Sequence, residues 1–331
     1  MATPNEITRD KITSVDHRTI AEAHDRIRPR IHQTPVMTSQ SIDKLAGAHL
    51  FFKAENLQKT GSFKIRGAAN AILSLTEREA SHGVVTQSSG NHGAAVACAA
   101  AWRGIPAWVV MPHNAPAVKC RAVEAYGGKI SFCEATVSAR REMAERIETE
   151  TGARMIHPYD DDRIIAGQAT AAKEFLEEIP DLDAVLTPVS GGGLLSGTCL
   201  GAKGIRPELK VFGCEPERAD DAYRSLKTGE LQAIESSDTI ADGLRASLSA
   251  RTFAILRSFV DGILLVSEEE IKASARLVAE RMKLIVEPSS SIALAPLVRR
   301  EGAGILNLVS RPDGRPLRIG IILSGGNVDL G

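Results

Sequence analysis

Short apolar runs alternate with amphipathic stretches along most of this chain, and that alternation limits the possible folds more than any other feature. It is typical of parallel strands joined by helices that cover the faces of a sheet. The sequence therefore predicts an α/β protein with mostly parallel strands. The predicted strands are His49–Ala54, Gly83–Thr86, Ala107–Met111, Lys129–Cys133, Met155–His157, Ala184–Val189, Lys210–Cys214 and Arg318–Leu323.

The segments between these strands carry helical patterns. One helix is predicted to begin near Asp16, a residue type favoured at the N-cap, and another covers Glu269–Lys283. The chain has 331 residues, a length that favours two domains. No repeat, low-complexity tract or long linker separates them. The division must therefore come from the topology, with the chain crossing between domains more than once.

Glycine-rich clusters directly follow three of the predicted strands. They are Ser88–Gly93, Ser190–Gly193 and Ser324–Gly326. In open α/β sheets, ligands bind at the carboxyl ends of the strands. Three clusters in these positions predict one composite binding site.

Lys64 is the candidate reactive residue. It lies in Lys59–Gly67, with the sequence KTGSFKIRG, and a helical pattern follows it. A lysine in the first turn of a helix feels the positive end of the helix dipole, and burial would also disfavour the ammonium form. Both effects favour a nucleophilic amine. An isolated lysine is usually a solvated surface residue. The prediction that Lys64 is reactive therefore depends on the glycine-rich clusters.

Each cluster suits a different polar group of a ligand. The hydroxyl and N–H groups of Ser88–Gly93 precede an Ala-rich helix and can bind a carboxylate or phosphate, while Asn91 can bond to an aryl oxygen. Ser190–Gly197 can cradle a phosphate but lacks the Walker lysine, which argues against ATP hydrolysis. A dinucleotide site with Glu215 as its acidic residue is a weaker alternative. The Ser324 hydroxyl could meet a ring nitrogen.

These motifs, taken in order, resemble those of the fold-type II pyridoxal-phosphate enzymes over essentially the whole chain. The resemblance is greatest to the serine racemase and serine/threonine dehydratase family. It implies two open, twisted, mostly parallel α/β domains with the active site between them. The large domain would be 1–78 with 156–331, and the small domain 79–155. The segments that carry the resemblance are Lys59–Gly67, Ser88–Gly93, Ser190–Gly193, Glu215–Asp221, Thr239–Gly243 and Ser324–Leu330.

The resemblance also implies individual roles. Lys64 would be the Schiff-base lysine for pyridoxal 5′-phosphate and the base that removes the substrate α-proton. Ser89 would be the second catalytic acid–base, on the opposite face of the substrate. The family usually has glycine where Ser190 stands, so no role is assigned to Ser190. The remaining cofactor contacts would be Phe63, Asn91, Gly191, Gly192, Gly193, Leu194 and Ser324. The substrate contacts would be Ser88, Ser89, Asn91, His92 and Arg140.

An acidic segment suggests a metal site remote from this chemistry. Glu215 and Asp221 stand on either side of a turn and can supply hard oxygen ligands together with the Ala219 carbonyl. The resemblance implies a divalent cation here, Mg²⁺ or Ca²⁺, with Mn²⁺ as a further option and Asp220 as an alternative ligand. A second acidic run, Asp160–Asp162, follows Tyr159 and is interpreted as a solvated loop and helix cap.

Ser324 bears on the reaction that the resemblance implies. A neutral hydroxyl cannot hold a pyridine nitrogen protonated as an aspartate would, which favours rapid loss of a β-leaving group. The leading hypothesis is dehydration of L-serine or L-threonine to a 2-oxo acid and ammonia, with serine racemisation as an additional activity. The main alternative is a 3-hydroxyaspartate dehydratase giving oxaloacetate, which would need a further cation such as Arg140 or Arg66. A β-replacement enzyme and a non-enzymatic amino-acid sensor are remoter alternatives.

Composition limits the other partners. With 40 basic and 41 acidic residues, the formal net charge is -1, and no nucleic-acid surface is expected. No apolar run approaches the roughly 18 residues of a spanning helix, and the polar N-terminus does not resemble a secretory signal. The five cysteines show no ligand spacing and are expected to be reduced and mostly buried in a cytoplasmic protein. Beyond a small amino-acid substrate, the resemblance implies a homodimer.

Overall fold

The computed structural model describes residues 12–88, 90–115, 117–299 and 314–329. Among the described residues, ten strands form a six-stranded sheet and a four-stranded sheet. The strands are β1 Val36–Thr38, β2 His49–Ala54, β3 Val84–Gln87, β4 Ala107–Pro112, β5 Lys129–Cys133, β6 Arg154–Met155, β7 Ala184–Pro188, β8 Lys210–Pro216, β9 Gly262–Val266 and β10 Arg318–Leu323.

The two sheets confirm the predicted α/β class. The larger has the order β1-β2-β10-β7-β8-β9 and the smaller β5-β4-β3-β6. Every pairing is parallel except that of β1 with β2. The strands of the smaller sheet all fall within residues 84–155, inside the predicted small domain. The domain boundaries themselves stay a prediction.

All eight predicted strands are observed, with bounds that differ by at most two residues, and two further strands are present. The predicted strand Met155–His157 is observed as Arg154–Met155, because the chain then turns toward the site. β1 and β9 were not predicted. Both are outermost in the larger sheet; β1 has only three residues and gives a weak signal, whereas β9 has the apolar sequence GILLV and was overlooked.

The described residues form fourteen α-helices, and the helix starts predicted near Asp16, at Lys64 and at Glu269 are confirmed to within one residue. Asp16 caps the first helix by accepting a 2.7 Å hydrogen bond from the Thr19 N–H. The helices are α1 His17–Ile27, α2 Gln40–Ala46, α3 Lys64–Leu73, α4 Glu77–Ala80, α5 Asn91–Arg103, α6 Ala117–Ala125, α7 Val137–Thr151, α8 Asp162–Glu178, α9 Gly193–Ile205, α10 Asp221–Thr228, α11 Ala250–Phe259, α12 Glu268–Met282, α13 Pro288–Ser291 and α14 Ala295–Val298.

Helices cover both faces of the larger sheet, so its central strand is buried. In β10, Ile319 and Ile321 pack into one apolar cluster while Ile322 packs into the cluster on the opposite face. None of the helices in the described ranges is both long and apolar enough to cross a membrane. All five cysteines are unpaired, four of them buried, as predicted.

A buried ion-pair network fixes α3, the helix that begins at Lys64. Arg66 is completely buried and donates hydrogen bonds of 2.7–2.8 Å to both Glu55 and Glu174. Lys53, also fully buried, lies 2.9 Å from Glu174. The guanidinium is therefore occupied by two carboxylates inside the protein. Arg66 cannot be the further cation that a 3-hydroxyaspartate substrate would need, and that suggestion was wrong.

Removing one carboxylate from this network should destabilise the protein strongly. We expect Glu174→Ala to lower the free energy of unfolding of the holoenzyme by roughly 3–5 kcal/mol, because Lys53 would lose the carboxylate it pairs with and Arg66 would lose one of its two. Urea unfolding measures the change. The control is Glu177→Ala on the same helix, whose exposed pair with Lys173 should contribute less than about 1 kcal/mol. Similar losses in the two variants would contradict the expectation.

Candidate active site

Lys64 is the first residue of α3, as predicted, and its side chain is half-buried. Its Nζ donates a 3.1 Å hydrogen bond to the Pro158 carbonyl and lies 5.2 Å from the centre of the Phe63 ring. Burial of the amine lowers the pKa of Lys64 to about 8, although the nearby Glu287 carboxylate acts in the opposite direction. A larger fraction of the amine is therefore unprotonated near neutral pH than in an ordinary lysine, which favours its use as a nucleophile or base.

The turn before Lys64 is joined to the loop after β10. The Phe63 N–H donates to the Ser324 carbonyl at 3.0 Å, and the Gly326 N–H donates to the Gly61 carbonyl at 2.9 Å. Ser324 itself is buried at the carboxyl end of β10. Because β10 lies between β2 and β7, the end of the chain comes directly beside Lys64.

Asn91 begins α5 and lies at the same place. Its Nδ2 donates to the two oxygens of Glu287, at 3.0 and 3.1 Å, and its Oδ1 accepts from Asn327 Nδ2 at 2.9 Å. Glu287 is buried, which raises its pKa to about 7. Sequence reasoning assigned no role to Glu287 or to Asn327. The available signal for Glu287 was a carboxylate between the apolar run 284–286 and Pro288.

The predicted substrate loop lies at the start of α5. Ser88 accepts a 3.3 Å hydrogen bond from the Gly90 N–H. His92 is buried, and its Nε2 lies 3.1 Å from the Ile156 carbonyl, which can only accept. Burial and the charge of Lys64 lower the pKa of His92 to about 3, so the ring is neutral with its proton on Nε2. Ser89, the predicted second acid–base, lies outside the described residues.

The glycine loop at the start of α9 has no room for side chains. Gly192 has φ +89°, and a Cβ atom at Gly193 would lie 2.8 Å from Tyr159 Cβ. A Cβ atom at Gly191 would clash with the Tyr159 ring. The first N–H groups of α9, around Leu194, have no acceptor within their own helix, as at any helix start. This closely packed backbone fits a bound phosphate.

Tyr159 and Ser190 are the two residues around this loop whose surroundings the sequence did not predict. Tyr159, which precedes the acidic run, is half-buried and packs edge-to-face on His157, with ring centres 4.7 Å apart. The helix cap predicted for the acidic run is confirmed, because Asp161 accepts from the Arg163 N–H at 2.6 Å. The Ser190 hydroxyl donates to the Ala246 carbonyl at 3.1 Å and accepts from the Ala246 N–H at 3.0 Å.

The elements that carry Lys64, Asn91, Ser324 and the glycine loop are connected by direct contacts. Phe63 joins the Lys64 turn to Ser324, and a Cβ atom at Gly325 would lie 2.6 Å from the Glu287 oxygen that Asn91 contacts. Pro158 contacts Lys64, and the adjacent Tyr159 packs on the glycine loop. A partly unprotonated amine, an amide, a hydroxyl and a phosphate-sized cradle can together hold an aromatic phosphorylated cofactor.

A family model described as "Pyridoxal-phosphate dependent enzyme" matches residues 27–307 of the chain. The chain belongs to this family. Serine racemase from Dictyostelium discoideum is 48% identical over 323 residues, covering 97% of each chain. The β-hydroxyaspartate dehydratase of Paracoccus denitrificans strain Pd 1222 is 44% identical over 308 residues, covering 93% of this chain and 95% of that protein.

Structural comparison of this pyridoxal-phosphate-dependent enzyme agrees with the sequence comparison. The solved structure of maize serine racemase has a TM-score of 0.92 at 46% identity and covers 96% of this chain and 95% of that one. The predicted fold type and the resemblance to the serine racemase and dehydratase family are therefore confirmed. The roles of individual site residues stay predictions.

Arg140 was predicted to contact the substrate of this enzyme. It lies near the start of α7, and its Nε donates to the Thr136 carbonyl at 3.3 Å. This contact is local to the helix start. The contact with substrate therefore stays a prediction.

The predicted cation ligands are buried side by side at the start of α10. The two Glu215 oxygens accept from the Ala222 and Tyr223 N–H groups at 2.9 and 2.8 Å, and Asp221 Oδ2 accepts from the Leu248 N–H at 2.9 Å. Ala219, whose carbonyl completes the predicted set, is also buried. Among the described residues, no cationic side chain bonds to either carboxylate, and this donor set of buried hard oxygens fits a divalent cation. Within the described ranges, no three His, Cys, Asp or Glu side chains cluster as a metal site.

Proposed function

We propose that this enzyme eliminates water from a small β-hydroxy amino acid such as L-serine or L-threonine, giving a 2-oxo acid and ammonia. Serine racemisation is proposed as an additional activity. The observation that carries the proposal is the buried Lys64 amine, with its lowered pKa, joined by direct contacts to the elements of Asn91 and Ser324. The identity of 48% to a serine racemase supports the same class of reaction.

Bound pyridoxal phosphate supplies the electron sink that makes the α-proton of an amino acid removable. In this proposal Lys64 holds the cofactor covalently and then, as the free amine, accepts that α-proton. The Lys64 amine is suited to this because burial brings its pKa to about 8, close to the working pH. The Pro158 carbonyl, 3.1 Å from Nζ, would direct the amine.

Ser324 would contribute to the choice of reaction. Its neutral hydroxyl, facing a ring nitrogen, cannot keep that nitrogen protonated as a carboxylate would, and the electron sink is correspondingly weaker. Departure of the β-hydroxyl soon after proton removal suits such a site. Racemisation needs a second acid–base on the other face of the substrate, the role proposed for Ser89.

The remaining residues would bind and orient the ligands. Gly191, Gly192, Gly193 and Leu194 would hold the cofactor phosphate through their N–H groups, Phe63 would line its ring, and Asn91 would donate to its phenolic oxygen. Ser88, His92 and Arg140 would assist in binding the substrate, with Ser88 and the N–H groups at the start of α5 receiving its α-carboxylate. A homodimer and a cytoplasmic location, proposed from resemblance and from reduced cysteines, complete the description.

A panel of substrates tests the proposed reaction. We expect L-serine or L-threonine to yield a 2-oxo acid, measured by coupled reduction, and Lys64→Ala to abolish both this activity and the visible absorbance of the bound cofactor. Lys59→Ala, five residues earlier, is the matched control and should keep the absorbance. If no amino acid of the panel gives an oxo acid or its enantiomer, the proposal fails. Persistence of the band in Lys64→Ala would overturn the assignment of Lys64.

A specific cation favours 3-hydroxyaspartate as a second candidate substrate. The Lys119 ammonium forms an ion pair with Asp242 and lies 3.9 Å from the position of a Cβ atom at Gly90, in the substrate loop. The same ammonium lowers the pKa of Glu287, which contacts Asn91. Lys119 is therefore a positive charge beside the loop that would hold the α-carboxylate, where a second carboxylate could reach it. The 44% identity to a β-hydroxyaspartate dehydratase supports this candidate.

Charge removal at Lys119 distinguishes the two substrate classes. For the preferred 3-hydroxyaspartate isomer, we expect Lys119→Met to lower kcat/KM about tenfold or more, since a charged hydrogen bond to the second carboxylate is lost. The loss for L-serine should stay below about threefold. Lys129→Met, which removes an exposed lysine packed on Trp108, is the control. This candidate is removed if neither isomer of 3-hydroxyaspartate is turned over. It is also removed if Lys119→Met lowers kcat/KM equally for 3-hydroxyaspartate and L-serine.

A divalent cation bound by Glu215, Asp221 and the Ala219 carbonyl is proposed to stabilise the loop before α10. Adding Mg²⁺, Ca²⁺ or Mn²⁺ to chelator-treated enzyme should raise Tm by roughly 3 °C or more if the ion binds only the folded protein. Asp221→Asn should abolish this shift in a thermal-unfolding assay. Asp238→Asn, which alters an exposed carboxylate paired with Arg218, should keep it. The same rise in Tm in the wild type, Asp221→Asn and Asp238→Asn would exclude this site.

A further inference from the structure

A chain of two side-chain amides runs from a backbone carbonyl to a buried carboxylate. Asn327 Nδ2 donates to the Thr60 carbonyl at 2.7 Å and to Asn91 Oδ1 at 2.9 Å. Asn91 Nδ2 then donates to Glu287, at 3.0 and 3.1 Å from its two oxygens. The carbonyl at one end can only accept a hydrogen bond. An ionised carboxylate, at the other end, is likewise only an acceptor. The orientation of each amide is therefore set from both ends.

We propose that Asn327 and Glu287 are positioning residues that fix the Asn91 amide with its NH₂ group toward the cofactor. An NH₂ group has two hydrogens, and the two oxygens of the single Glu287 carboxylate can share one of them. The second is then available for the phenolic oxygen of pyridoxal phosphate. This inference rests on the proposed function, in which Asn91 binds that oxygen, and it names the two residues that make Asn91 a donor rather than an acceptor there.

The backbone around both residues is shaped to admit their side chains. Gly61 has φ +72°, and a Cβ atom there would clash with Asn327 Oδ1. Thr60, the acceptor at the end of the chain of amides, has φ 62°, a left-handed conformation that is uncommon for threonine. At Gly325 a Cβ atom would lie 2.6 Å from Glu287 Oε1, while the Gly325 carbonyl accepts from the Glu287 N–H at 3.0 Å.

Reversal of the Asn91 amide would place oxygen against oxygen. Its Oδ1 would face the Glu287 carboxylate, and its NH₂ would face the Asn327 NH₂, which Thr60 holds in place. Burial raises the pKa of Glu287 to about 7, with Lys64 and Lys119 lowering it and Asp242 raising it. Even a protonated carboxyl keeps one oxygen that accepts from Asn91. Glutamine at position 287 should therefore preserve the orientation, whereas alanine should not.

Cofactor binding and the cofactor spectrum test this inference without relying on turnover. We expect Glu287→Ala and Asn327→Asp each to raise the Kd for pyridoxal phosphate about tenfold, the effect of losing one good hydrogen bond, and to shift the visible absorbance of the holoenzyme. Aspartate at 327 cannot donate to Asn91 and would draw the Asn91 NH₂ group toward itself. Glu287→Gln is the matched conservative variant and should stay within about threefold of the wild type.

A double-mutant cycle shows whether these effects pass through Asn91. In an Asn91→Ala background, Glu287→Ala and Asn327→Asp should no longer change the Kd or the spectrum. The inference would be overturned if Glu287→Ala and Asn327→Asp still changed the Kd in the Asn91→Ala background. An unchanged spectrum in both single variants would also overturn it. If Asn91→Ala alone leaves the Kd and spectrum unchanged, the proposed role of Asn91 fails instead. Asn327 is exposed, so Asn327→Asp remains informative even if Glu287→Ala does not fold.

Discussion

The ion-pair network of Arg66 with Glu55, Glu174 and Lys53 is the interaction on which the rest of the site depends. It contains two positive and two negative side chains, so a buried cluster of four charges is neutral overall. Glu55 follows β2 and Glu174 belongs to α8, so the network joins the sheet, α3 and α8 at one point. Lys64 is only two residues from Arg66. The start of α3, which carries the reactive amine, is thereby fixed from inside the protein. The Lys64 side chain itself takes no part in the network.

The strand order explains how distant segments meet at that amine. β10 is the last strand of the chain but lies between β2 and β7, so the loops after β2 and β10 emerge side by side. An isolated bridge between Ser62 and Gly325 extends this pairing past the ends of the strands. The smaller sheet, inserted between β2 and β7 in the sequence, contributes the start of α5 to the same place. A site of this kind requires the whole topology, because no continuous segment contains it.

The sequence was sufficient for features that depend on local order. Apolar runs predicted eight strands, the KTGSFKIRG motif predicted Lys64 at a helix start, and the glycine-rich clusters predicted segments that the structure brings together, whose contacts with ligands stay predictions. The contacts of Glu287 and Asn327 were not predicted, since they join Asn91 to residues 196 and 236 positions away. The environment of Tyr159 was also not predicted, because its ring reaches the glycine loop only through the turn after β6.

One physical cause, removal of water, sets the protonation of several groups in the site. Burial lowers the pKa of the Lys64 amine and the His92 ring, and raises that of the Glu287 carboxyl. Each shift favours the neutral form of its group, because a charge without solvent is costly. Each of these three groups therefore reaches its neutral form more easily than it would in water. An anionic substrate or phosphate would be held mainly by backbone and side-chain N–H groups, while the lysine amine loses its proton more readily than an ordinary lysine and can then accept one from a substrate.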